Sequence, residues 1–481
     1  MIRTRFAPSP TGYAHVGNIR TALFAYLTAR HSNGKFIVRI EDTDKNREVD
    51  GAEDYILNAI KALGITYDEG PDIGGVYGPY KQSERLDIYK KWAQKLVDEG
   101  RAYVDPYTKE EIEAFKEQAK KEKKPYLYRN NRPENTPKWD GTQPLRFKSD
   151  PKDYKWHDEV MGDLSAGKEA IDDFIIIKSD GYPTYNFAHI VDDTEMKITH
   201  VIRGQEYISS MPNYLNLYEA LGLERPIFAM MPHVLNETGN KKLGKRDGAK
   251  DVMEYLRDGY LPEALVNFIA TLGWNDGTEQ EIFSMQELIE KFTLDRVGKS
   301  GARFDEKRLI WMNGQWIKKL VLDDLHLRTL GSPIAANFWL RHGARANPER
   351  QREILSVIQS RLKTLADLPS LSEYFFKRPK PNWDMINDNK QLSKIMRDEL
   401  INLLTTTVNK LQDTDWTIDQ IQKSLNELLE ETDSKPVILF GTIRFALTWA
   451  PFSPGLPEMM TLLGRKETIS RLKDAIKHAK K

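Results

Sequence analysis

The fold is decided near the start of the chain, where residues 5–20 read Arg5-Phe6-Ala7-Pro8-Ser9-Pro10-Thr11-Gly12-Tyr13-Ala14-His15-Val16-Gly17-Asn18-Ile19-Arg20. The apolar pattern predicts a strand from Ile2 to Ala7 and a helix from Gly17 to Arg30, joined by a turn with two prolines and a glycine. A helix that opens near His15 directs backbone N–H groups and the positive end of its dipole towards this turn. Such geometry is typical of a phosphate or nucleotide site.

His15 and Gly17 would have separate tasks in such a site. An imidazole can hydrogen-bond a phosphate oxygen as charge develops there, and a residue without Cβ lets an adenine ring lie against the helix. The pattern is weak by itself, because an ordinary helix cap with a satisfied histidine would look the same.

A second strand is predicted over residues 36–40, and it ends in the polar run Glu41-Asp42-Thr43-Asp44. A strand, a helix and a parallel strand form a crossover unit, and ligands bind such sheets at the carboxyl ends of the strands. We therefore expect Glu41 to lie near Ser9.

More than two hundred residues further along, the chain reads Lys241-Lys242-Leu243-Gly244-Lys245-Arg246. Two lysines three residues apart in a polar loop could close on a triphosphate as pyrophosphate begins to leave. Taken alone, the segment is equally well explained as a solvated run of charge.

Composition limits the class of protein. A length of 481 residues predicts about two to four domains. The absence of cysteine excludes disulfides and thiolate zinc sites. The 71 basic and 71 acidic residues balance, so a polyanion would have to be bound by local charge asymmetry. The first predicted strand leaves no room for a signal peptide and no apolar run would span a bilayer, so we expect a cytoplasmic protein without a membrane segment.

Between Gly100 and about Ile190 the pattern changes. A charged stretch over residues 116–124 is predicted to be helical. It is followed by interleaved basic and aromatic residues: Tyr126, Tyr128, Arg129, Arg132, Trp139, Arg146 and Lys148. They could form an RNA surface, because guanidinium groups pair with phosphate and rings stack on bases. The alternative is a solvated helix beside a small satellite core.

After about Asp323 the pattern is helical. A first apolar stripe comprises Leu392, Ile395, Met396, Leu400, Leu403, Leu404, Val408 and Leu411. A second helix is predicted to begin at Thr417-x-x-Gln420. The basic stretch from Arg465 to Lys481 could contact RNA, but we expect a frayed tail.

In this order and at this separation, the histidine turn and the lysine segment resemble the paired signature motifs of class I aminoacyl-tRNA synthetases, in which a lysine loop closes over a Rossmann ATP site. Within that class the chain is similar to bacterial-type glutamyl-tRNA synthetases over nearly its whole length. The other stretches that carry this resemblance are Arg39-Ile40-Glu41-Asp42-Thr43-Asp44, Gly78-Pro79-Tyr80-Lys81-Gln82-Ser83-Glu84-Arg85, Ser179-Asp180-Gly181-Tyr182-Pro183-Thr184-Tyr185, Val201-Ile202-Arg203-Gly204, Trp311-Met312-Asn313-Gly314, Leu447-Thr448 and Ser453-Pro454-Gly455-Leu456.

The resemblance implies an α/β Rossmann-type catalytic domain with an inserted α/β acceptor-binding domain, followed by an all-α anticodon-binding region. The implied segments are 1–99 (Rossmann, first half), 100–190 (inserted acceptor-end domain), 191–240 (Rossmann, second half), 241–322 (stem-contact domain with the lysine loop) and 323–481 (helical anticodon-binding region, with two subdomains that meet near residue 375).

The implied reaction is ATP-dependent ligation of L-glutamate to the 3′ end of tRNA(Glu) through a glutamyl-adenylate, with activation that requires bound tRNA. The resemblance assigns catalysis to His15, Lys242 and Lys245. It assigns ATP contacts to Pro8, Thr11, Gly12, His15, Gly17, Asn18, Lys242, Leu243, Gly244, Lys245 and Arg246. It assigns the glutamate pocket to Arg5, Ala7, Ser9, Glu41, Tyr185 and Arg203. The partners are then ATP, L-glutamate and tRNA(Glu), and we expect a monomer.

Charge explains how the pocket could choose glutamate. Glu41 suits the α-ammonium group, and Arg5 and Arg203, with the Tyr185 hydroxyl, suit carboxylates because a guanidinium group only donates. Glutamine would turn its own NH₂ donors towards these donors and leave buried groups unpaired. For Arg203 the alternative is a surface ion pair. The resemblance adds that glutaminyl relatives lack this arginine and carry β-barrel anticodon domains.

Three positions depart from the family pattern: Gly244 where serine is usual, Gln205 where glutamate is common, and Asn18 where a small residue is usual. Some family members hold zinc through cysteines near the segment that matches residues 103–108, and this chain has none. We therefore expect no zinc and no metal site formed by protein ligands, and Mg²⁺ only as it arrives with ATP.

Two arginines match anticodon contacts of the family. Arg361 lies where an arginine accompanies recognition of cytosine as the third anticodon base, and Arg444 matches a second contact. An arginine at the first position favours an enzyme that charges only tRNA(Glu). The alternative for Arg361 is a helix cap.

Two other classes of function remain open. A nucleotidyltransferase that does not act on tRNA can share the histidine turn, but it would not use the helical C-terminal third. A silent RNA-binding paralogue would keep the fold without activity, and the intact His15, Lys242, Lys245, Glu41 and Arg203 argue against it.

Overall fold

The computed structural model describes residues 1–244, 250–450 and 453–480. It divides into two compact units. The first unit comprises Met1–Glu254 and Pro262–Glu306, and the second comprises Tyr255–Leu261 and Lys307–Lys481. The finer division into five segments with edges at residues 99, 190, 240 and 322 stays a prediction.

The strands all lie in the first unit of the described chain. They are β1 (Arg3–Phe6), β2 (Lys35–Val38), β3 (Ala102–Val104), β4 (Leu145–Phe147), β5 (Tyr154–Asp158), β6 (Gly162–Ala166), β7 (Ile175–Ile177), β8 (His200–Gly204), β9 (Ile227–Met231), β10 (Val234–Leu235) and β11 (Ala302–Arg303).

Helices alternate with these strands and then continue alone. They are α1 (Val16–His31), α2 (Ala52–Ala62), α3 (Leu86–Asp98), α4 (Lys109–Lys121), α5 (Tyr185–Glu195), α6 (Met211–Leu221), α7 (Val252–Arg257), α8 (Pro262–Ala270), α9 (Met285–Lys291), α10 (Glu306–Lys319), α11 (Leu322–Gly331), α12 (Pro333–His342), α13 (Pro348–Ile358), α14 (Leu368–Ser372), α15 (Asp384–Asn387), α16 (Arg397–Gln412), α17 (Ile418–Thr432), α18 (Pro436–Thr448), α19 (Leu456–Leu463) and α20 (Arg465–Ala479). Of these helices, none is long and apolar enough to cross a membrane.

Parallel strands form the centre of the first unit. β1 pairs with β2 from Arg3 opposite Lys35 to Phe6 opposite Val38, and β8 pairs with β9 in the same parallel sense. β1 lies beside β8, because the Thr199 N–H donates to the Arg3 carbonyl at 2.9 Å. The polar groups that follow β1, β2 and β8 therefore meet at one edge, as the crossover pattern predicts.

The segment between α3 and α5 is built from two antiparallel sheets, β3–β4–β7 and β5–β6. The structure favours a satellite core over an RNA surface for most of its basic and aromatic residues. Tyr128 and Trp139 are buried, and Arg146 donates to Asp105 at 2.6 Å while its guanidinium lies 3.4 Å above the Tyr128 ring. Arginines that are paired with carboxylates inside a core are not available to bind RNA phosphates.

Helices α16–α20 share one apolar core in the second unit. As predicted, Thr417 caps α17 by accepting from the Gln420 N–H. The first apolar stripe is only partly helical, however, because α16 begins at Arg397, and Met396 before it is 75% exposed.

The expectation of a frayed basic tail is wrong for residues 465–479, which form α20. The Arg471 guanidinium is buried and donates to the carbonyls of Leu447 and Tyr374, both at 2.8 Å. Leu472 and Ala475 lie in the shared core. The charge count of this stretch concealed an apolar stripe at helical spacing.

We expect Leu472→Ala to lower the free energy of unfolding by about 2–5 kcal/mol, because it leaves a cavity in a closed core. Lys473→Ala, at the exposed neighbouring position, serves as the control and should change it by no more than about 0.5 kcal/mol. Urea denaturation of the full chain measures both. Equal, small effects would mean that α20 frays after all.

Candidate active site

The histidine turn is a helix cap with a chemical consequence. His15 precedes α1, and its Nδ1 accepts from the backbone N–H groups of Gly17 at 3.1 Å and Asn18 at 3.4 Å. These two N–H groups therefore bond to the imidazole. Since Nδ1 accepts, the proton of the neutral ring resides on Nε2, which makes that nitrogen a donor.

Gly17 is required by this cap. A Cβ on Gly17 would lie 3.1 Å from His15 Cε1 and 3.2 Å from Nδ1, closer than side chains normally approach. The His15 side chain is therefore one reason for glycine at position 17, independent of any bound ligand.

A cavity of about 270 Å³ lies at the carboxyl ends of the parallel strands. Of the residues assigned from the sequence, it is lined by Arg5, Ala7, Pro8, Ser9, Thr11, His15, Gly17, Asn18, Glu41, Tyr185, Arg203 and Lys242. The histidine turn and Lys242 of the distant segment thus face the same space. As predicted, Ser9 and Glu41 also meet there.

The structure describes three further residues of the assigned ATP set. Gly12, Leu243 and Gly244 belong to the described chain but do not line the cavity. Lys245 and Arg246 lie outside the described residues, so their roles rest on the sequence.

Lys242 is held at the cavity by its backbone and by one acidic side chain. The Leu243 N–H donates to the Val234 carbonyl at 2.8 Å, which joins the lysine segment to β10. The Lys242 Nζ lies 3.3 Å from Oε1 of Glu206, whose other oxygen is 3.8 Å from His233 Nδ1. Glu206 and His233 also line the cavity.

Glu206 lines the cavity but is not among the residues that the resemblance assigns to the site. The lysine and the glutamate are 54% and 45% exposed, and such pairs contribute only about 0–1 kcal/mol. Lys242 can therefore exchange this partner for a phosphate at little cost. The one signal in the sequence for Glu206 was its position as an acidic residue next to Gln205, which departs from the family pattern.

Beneath the cavity lies a cluster of buried charges centred on Arg39. Its Nη2 donates to Glu41 Oε1 at 2.9 Å, and its Nη1 donates to Asp193 Oδ1 at 2.8 Å. Asp193 also accepts from Arg5 Nε at 3.0 Å, and Arg85 Nε donates to Asp192 at 2.7 Å. Three arginines thus face three carboxylates: Arg5, Arg39 and Arg85 against Glu41, Asp192 and Asp193.

Arg5 is already partly engaged by protein groups. Three of its five N–H groups donate to Asp193 and to the Ile202 carbonyl, the latter at 3.3 Å. Its assignment to the glutamate pocket stays a prediction, because two N–H groups remain for a ligand. Arg5 lines the cavity as one member of a neutralised pair.

Arg203 is different, because no carboxylate of the described chain forms an ion pair with it. It is 5% exposed, its Nη2 donates to the Tyr185 hydroxyl, and its guanidinium lies 3.5 Å over the Tyr207 ring. Its Nε has no hydrogen-bond partner in the structure. A surface ion pair is thereby excluded, and the cavity contains a buried positive charge without a protein counter-ion.

Burial shifts several titrating groups around this charge. Burial raises the pKa of Glu41, and Arg39 opposes that shift. Burial and, secondly, Arg203 hold the pKa of His189 well below its usual range, so His189 is neutral. Its Nδ1 lies 2.8 Å from the Tyr185 carbonyl, which can only accept, so that nitrogen carries the proton.

In the second unit, the two arginines assigned to the anticodon lie close together. Burial, followed by the charge of Arg361, lowers the pKa of Arg444, whose Nε donates to Ser453 Oγ at 2.8 Å. The hydroxyl of nearby Tyr374 is buried and has no hydrogen-bond partner in the part of the chain that the structure describes. Because Arg361 ends a short 3₁₀ turn, its role as a helix cap stays open.

Metal ligands of the protein itself are not apparent here. Within residues 1–244, 250–450 and 453–480, no group of three or more histidine and acidic side chains is placed to hold a metal ion. The expectation concerning zinc rests on the sequence, which lacks cysteine.

Two family models match the chain. The one described as tRNA synthetases class I (E and Q), catalytic domain, matches residues 1–311. The one described as an anticodon binding domain matches residues 327–476.

The similarity to individual proteins extends over the full length. The glutamate–tRNA ligase of Clostridium botulinum strain Eklund 17B is 41% identical over 493 aligned residues, which cover 99% of this chain and 98% of the relative. The glutamate–tRNA ligase of Clostridium kluyveri is 39% identical, covering 100% and 98%. The crystal structure of a glutamate tRNA ligase from Elizabethkingia meningosepticum, in complex with its amino acid, superimposes with a TM-score of 0.86 at 32% identity and covers 99% of each chain.

The hydrogen bonds predict opposite neutral tautomers for two histidines. We expect His15 to carry its proton on Nε2 and His189 to carry its proton on Nδ1, since the first accepts from N–H groups and the second donates to a carbonyl. Nitrogen-correlated NMR spectra of histidine-labelled protein at mildly alkaline pH distinguish the two forms. Each residue serves as the internal control for the other, and a shared tautomer would contradict the geometry.

Proposed function

Because the chain belongs to the glutamate–tRNA ligase family of class I tRNA synthetases, we propose that it joins L-glutamate to the 3′ end of tRNA(Glu) in an ATP-dependent reaction. The α-carboxylate of glutamate attacks the α-phosphate of ATP, and pyrophosphate leaves. The terminal ribose of the tRNA then accepts the glutamyl group. Neither step needs a protein nucleophile, so positioning and charge neutralisation carry the catalysis.

The observation that carries the choice of glutamate is the charge of the pocket. The cluster around Arg39 has three arginines and three carboxylates, whereas two further buried arginines that line the cavity, Arg20 and Arg203, form no ion pair within the described residues. A buried cation without a counter-ion is unfavourable, and a ligand that carries one net negative charge relieves it. Glutamate has that charge, whereas glutamine is neutral.

The two ends of the amino acid then have separate partners. Glu41 lines the cavity and accepts the α-ammonium group, and Arg203 with the Tyr185 hydroxyl takes the side-chain carboxylate. Arg5 acts through its pair with Asp193 and supports the pocket wall.

The triphosphate lies between the two motifs in this proposal. His15 offers the Nε2–H donor described above, and Lys242 leaves Glu206 to contact phosphate oxygens as charge builds up. On the basis of the resemblance, Lys245 and Arg246 would also contact the triphosphate. Mg²⁺ enters as part of the ATP substrate and would supply further neutralisation of the phosphates.

We propose that the second unit reads the anticodon through Arg361 and Arg444. Both belong to the matched anticodon-binding domain, and neither has a carboxylate partner within the described chain. Arg361 is exposed and Arg444 is half-buried, and guanidinium groups without a carboxylate partner suit hydrogen bonding to base edges. The proposal includes charging of tRNA(Glu) alone, activation that requires tRNA, and a cytoplasmic monomer.

Isotope exchange between pyrophosphate and ATP tests the reaction. We expect exchange with glutamate only when tRNA(Glu) is present. Exchange without any tRNA would indicate a different nucleotidyl transfer, and no exchange in either condition would indicate a silent paralogue.

Within the same assay, Arg203→Met should lower kcat/KM for glutamate roughly a hundredfold, because about 3 kcal/mol of charge pairing is lost. The KM for ATP should stay unchanged, since Arg203 lies at the amino-acid end of the cavity. Arg225→Met, which removes an arginine paired with Glu219 at the surface, is the matched control and should change kcat/KM by less than about twofold. Similar losses in both variants would refute the assignment.

Charging assays with purified tRNA(Glu) and tRNA(Gln) test the anticodon proposal. We expect wild-type protein to charge only tRNA(Glu), and Arg361→Ala to lower kcat/KM for this tRNA about tenfold to a hundredfold by loss of a base contact. The KM for glutamate should not change. Arg352→Ala, at an exposed arginine that pairs with Asp323, is the control. Equal charging of both tRNAs by the wild type would contradict the discriminating interpretation.

A further inference from the structure

Arg39 occupies an unusual place next to the proposed amino-acid pocket. It is fully buried just after β2 and does not line the cavity, whereas Glu41, two residues further on, does. The two side chains point to the same side of the extended segment and meet at 2.9 Å. Arg39 thus contacts a proposed substrate ligand from behind.

The remaining contacts of Arg39 fix its orientation. Nη1 donates to Asp193 Oδ1 at 2.8 Å and lies 3.7 Å from Met196 Sδ. Nε lies 3.6 Å from Asp192 Oδ2. Because α5 and the residue after it hold the guanidinium group in place, it cannot follow Glu41 if that carboxylate turns, and it therefore favours one rotamer of Glu41.

We propose that Arg39 is a positioning residue that fixes the Glu41 carboxylate in the cavity as an ionised acceptor for the α-ammonium group of the substrate. The inference rests on the proposed function, which makes that substrate glutamate. It adds a division of labour: Arg203 selects the side-chain carboxylate, and Arg39 acts through Glu41 on the amino group.

The physical reason is the cost of a buried carboxylate. Burial raises the pKa of Glu41, and the Arg39 charge and hydrogen bond are the largest influences that oppose it. The charged and titratable groups that face Glu41 are Arg39, Arg5, Asp193, Arg203, Tyr185 and Tyr214. Among the cations of the described residues, only Arg39 makes a hydrogen bond to Glu41. Without Arg39, Glu41 would take up a proton at a higher pH and lose its attraction for an ammonium group.

Equilibrium binding to the full chain, measured by calorimetry, separates this role from a purely structural one. The two ligands are glutamate and glutarate, which is glutamate without its amino group. We expect Arg39→Met to weaken glutamate binding at neutral pH on the order of tenfold or more, since one pKa unit is a tenfold change in the ionised population. Glutarate binding should change by less than about threefold, because it does not use Glu41.

The pH dependence gives a second readout. A carboxyl group whose pKa is raised is protonated below that pKa and recovers its charge above it. Glutamate binding by Arg39→Met should therefore strengthen more steeply than wild-type binding as the pH rises from about 6 to about 8.5. Arg39→Lys keeps the positive charge and should restore much of the affinity and the wild-type pH profile.

Arg85→Met is the matched control. It removes another fully buried arginine of the same cluster, which binds Asp192 and makes no contact with Glu41. It should leave the ratio of glutamate to glutarate affinity at the wild-type value, even if stability falls.

The outcomes are distinct. A wild-type protein that binds no glutamate would defeat the proposed function. If wild type binds glutamate but Arg39→Met keeps the wild-type affinity ratio and pH profile, the inference about Arg39 is overturned. It is also overturned if Arg39→Met and Arg85→Met lose both ligands equally, or if Arg39→Met does not fold and Arg39→Lys weakens glutamate and glutarate binding by the same factor.

Discussion

The structure depends on the buried ion cluster that ties β1, β2 and α5 together at the carboxyl ends of the parallel strands. Arg5 lies in β1, Arg39 and Glu41 follow β2, and Asp192 and Asp193 lie in α5. Each of these charges would be strongly unfavourable alone in the interior, so each requires the others in place. Closing the cluster therefore aligns three separate segments at once, and the cavity is the space left above it.

The local framework could be predicted from the sequence because its signals are local. β1, α1 and β2 occur within about two residues of the predicted bounds, and Thr417 caps α17 as its motif indicates. The meeting of Ser9 with Glu41 also follows from strand order, since parallel strands place their carboxyl ends together. The convergence of His15 with Lys242 came from the resemblance and not from any periodicity.

What the sequence could not supply was the partner of each charge. Arg5 looks like an empty fork until Asp193, 188 residues away, neutralises it. Arg146 looks like a phosphate ligand until Asp105 is found beside it, and the basic run that forms α20 conceals the buried faces of Arg471 and Leu472. Residue types set what a side chain can bind, but tertiary contacts decide whether that capacity is already used.

The tyrosines around Arg203 explain how its buried charge can be stabilised without a carboxylate partner. A carboxylate beside this guanidinium would satisfy it permanently and leave nothing for a ligand. Aromatic faces and a phenol stabilise the cation without cancelling its charge, through the Tyr207 ring at 3.5 Å and the Tyr185 hydroxyl. The pocket can therefore stay folded around a cation that no carboxylate of the described chain pairs with, and this is the physical basis of the selectivity that we propose for an acidic amino acid.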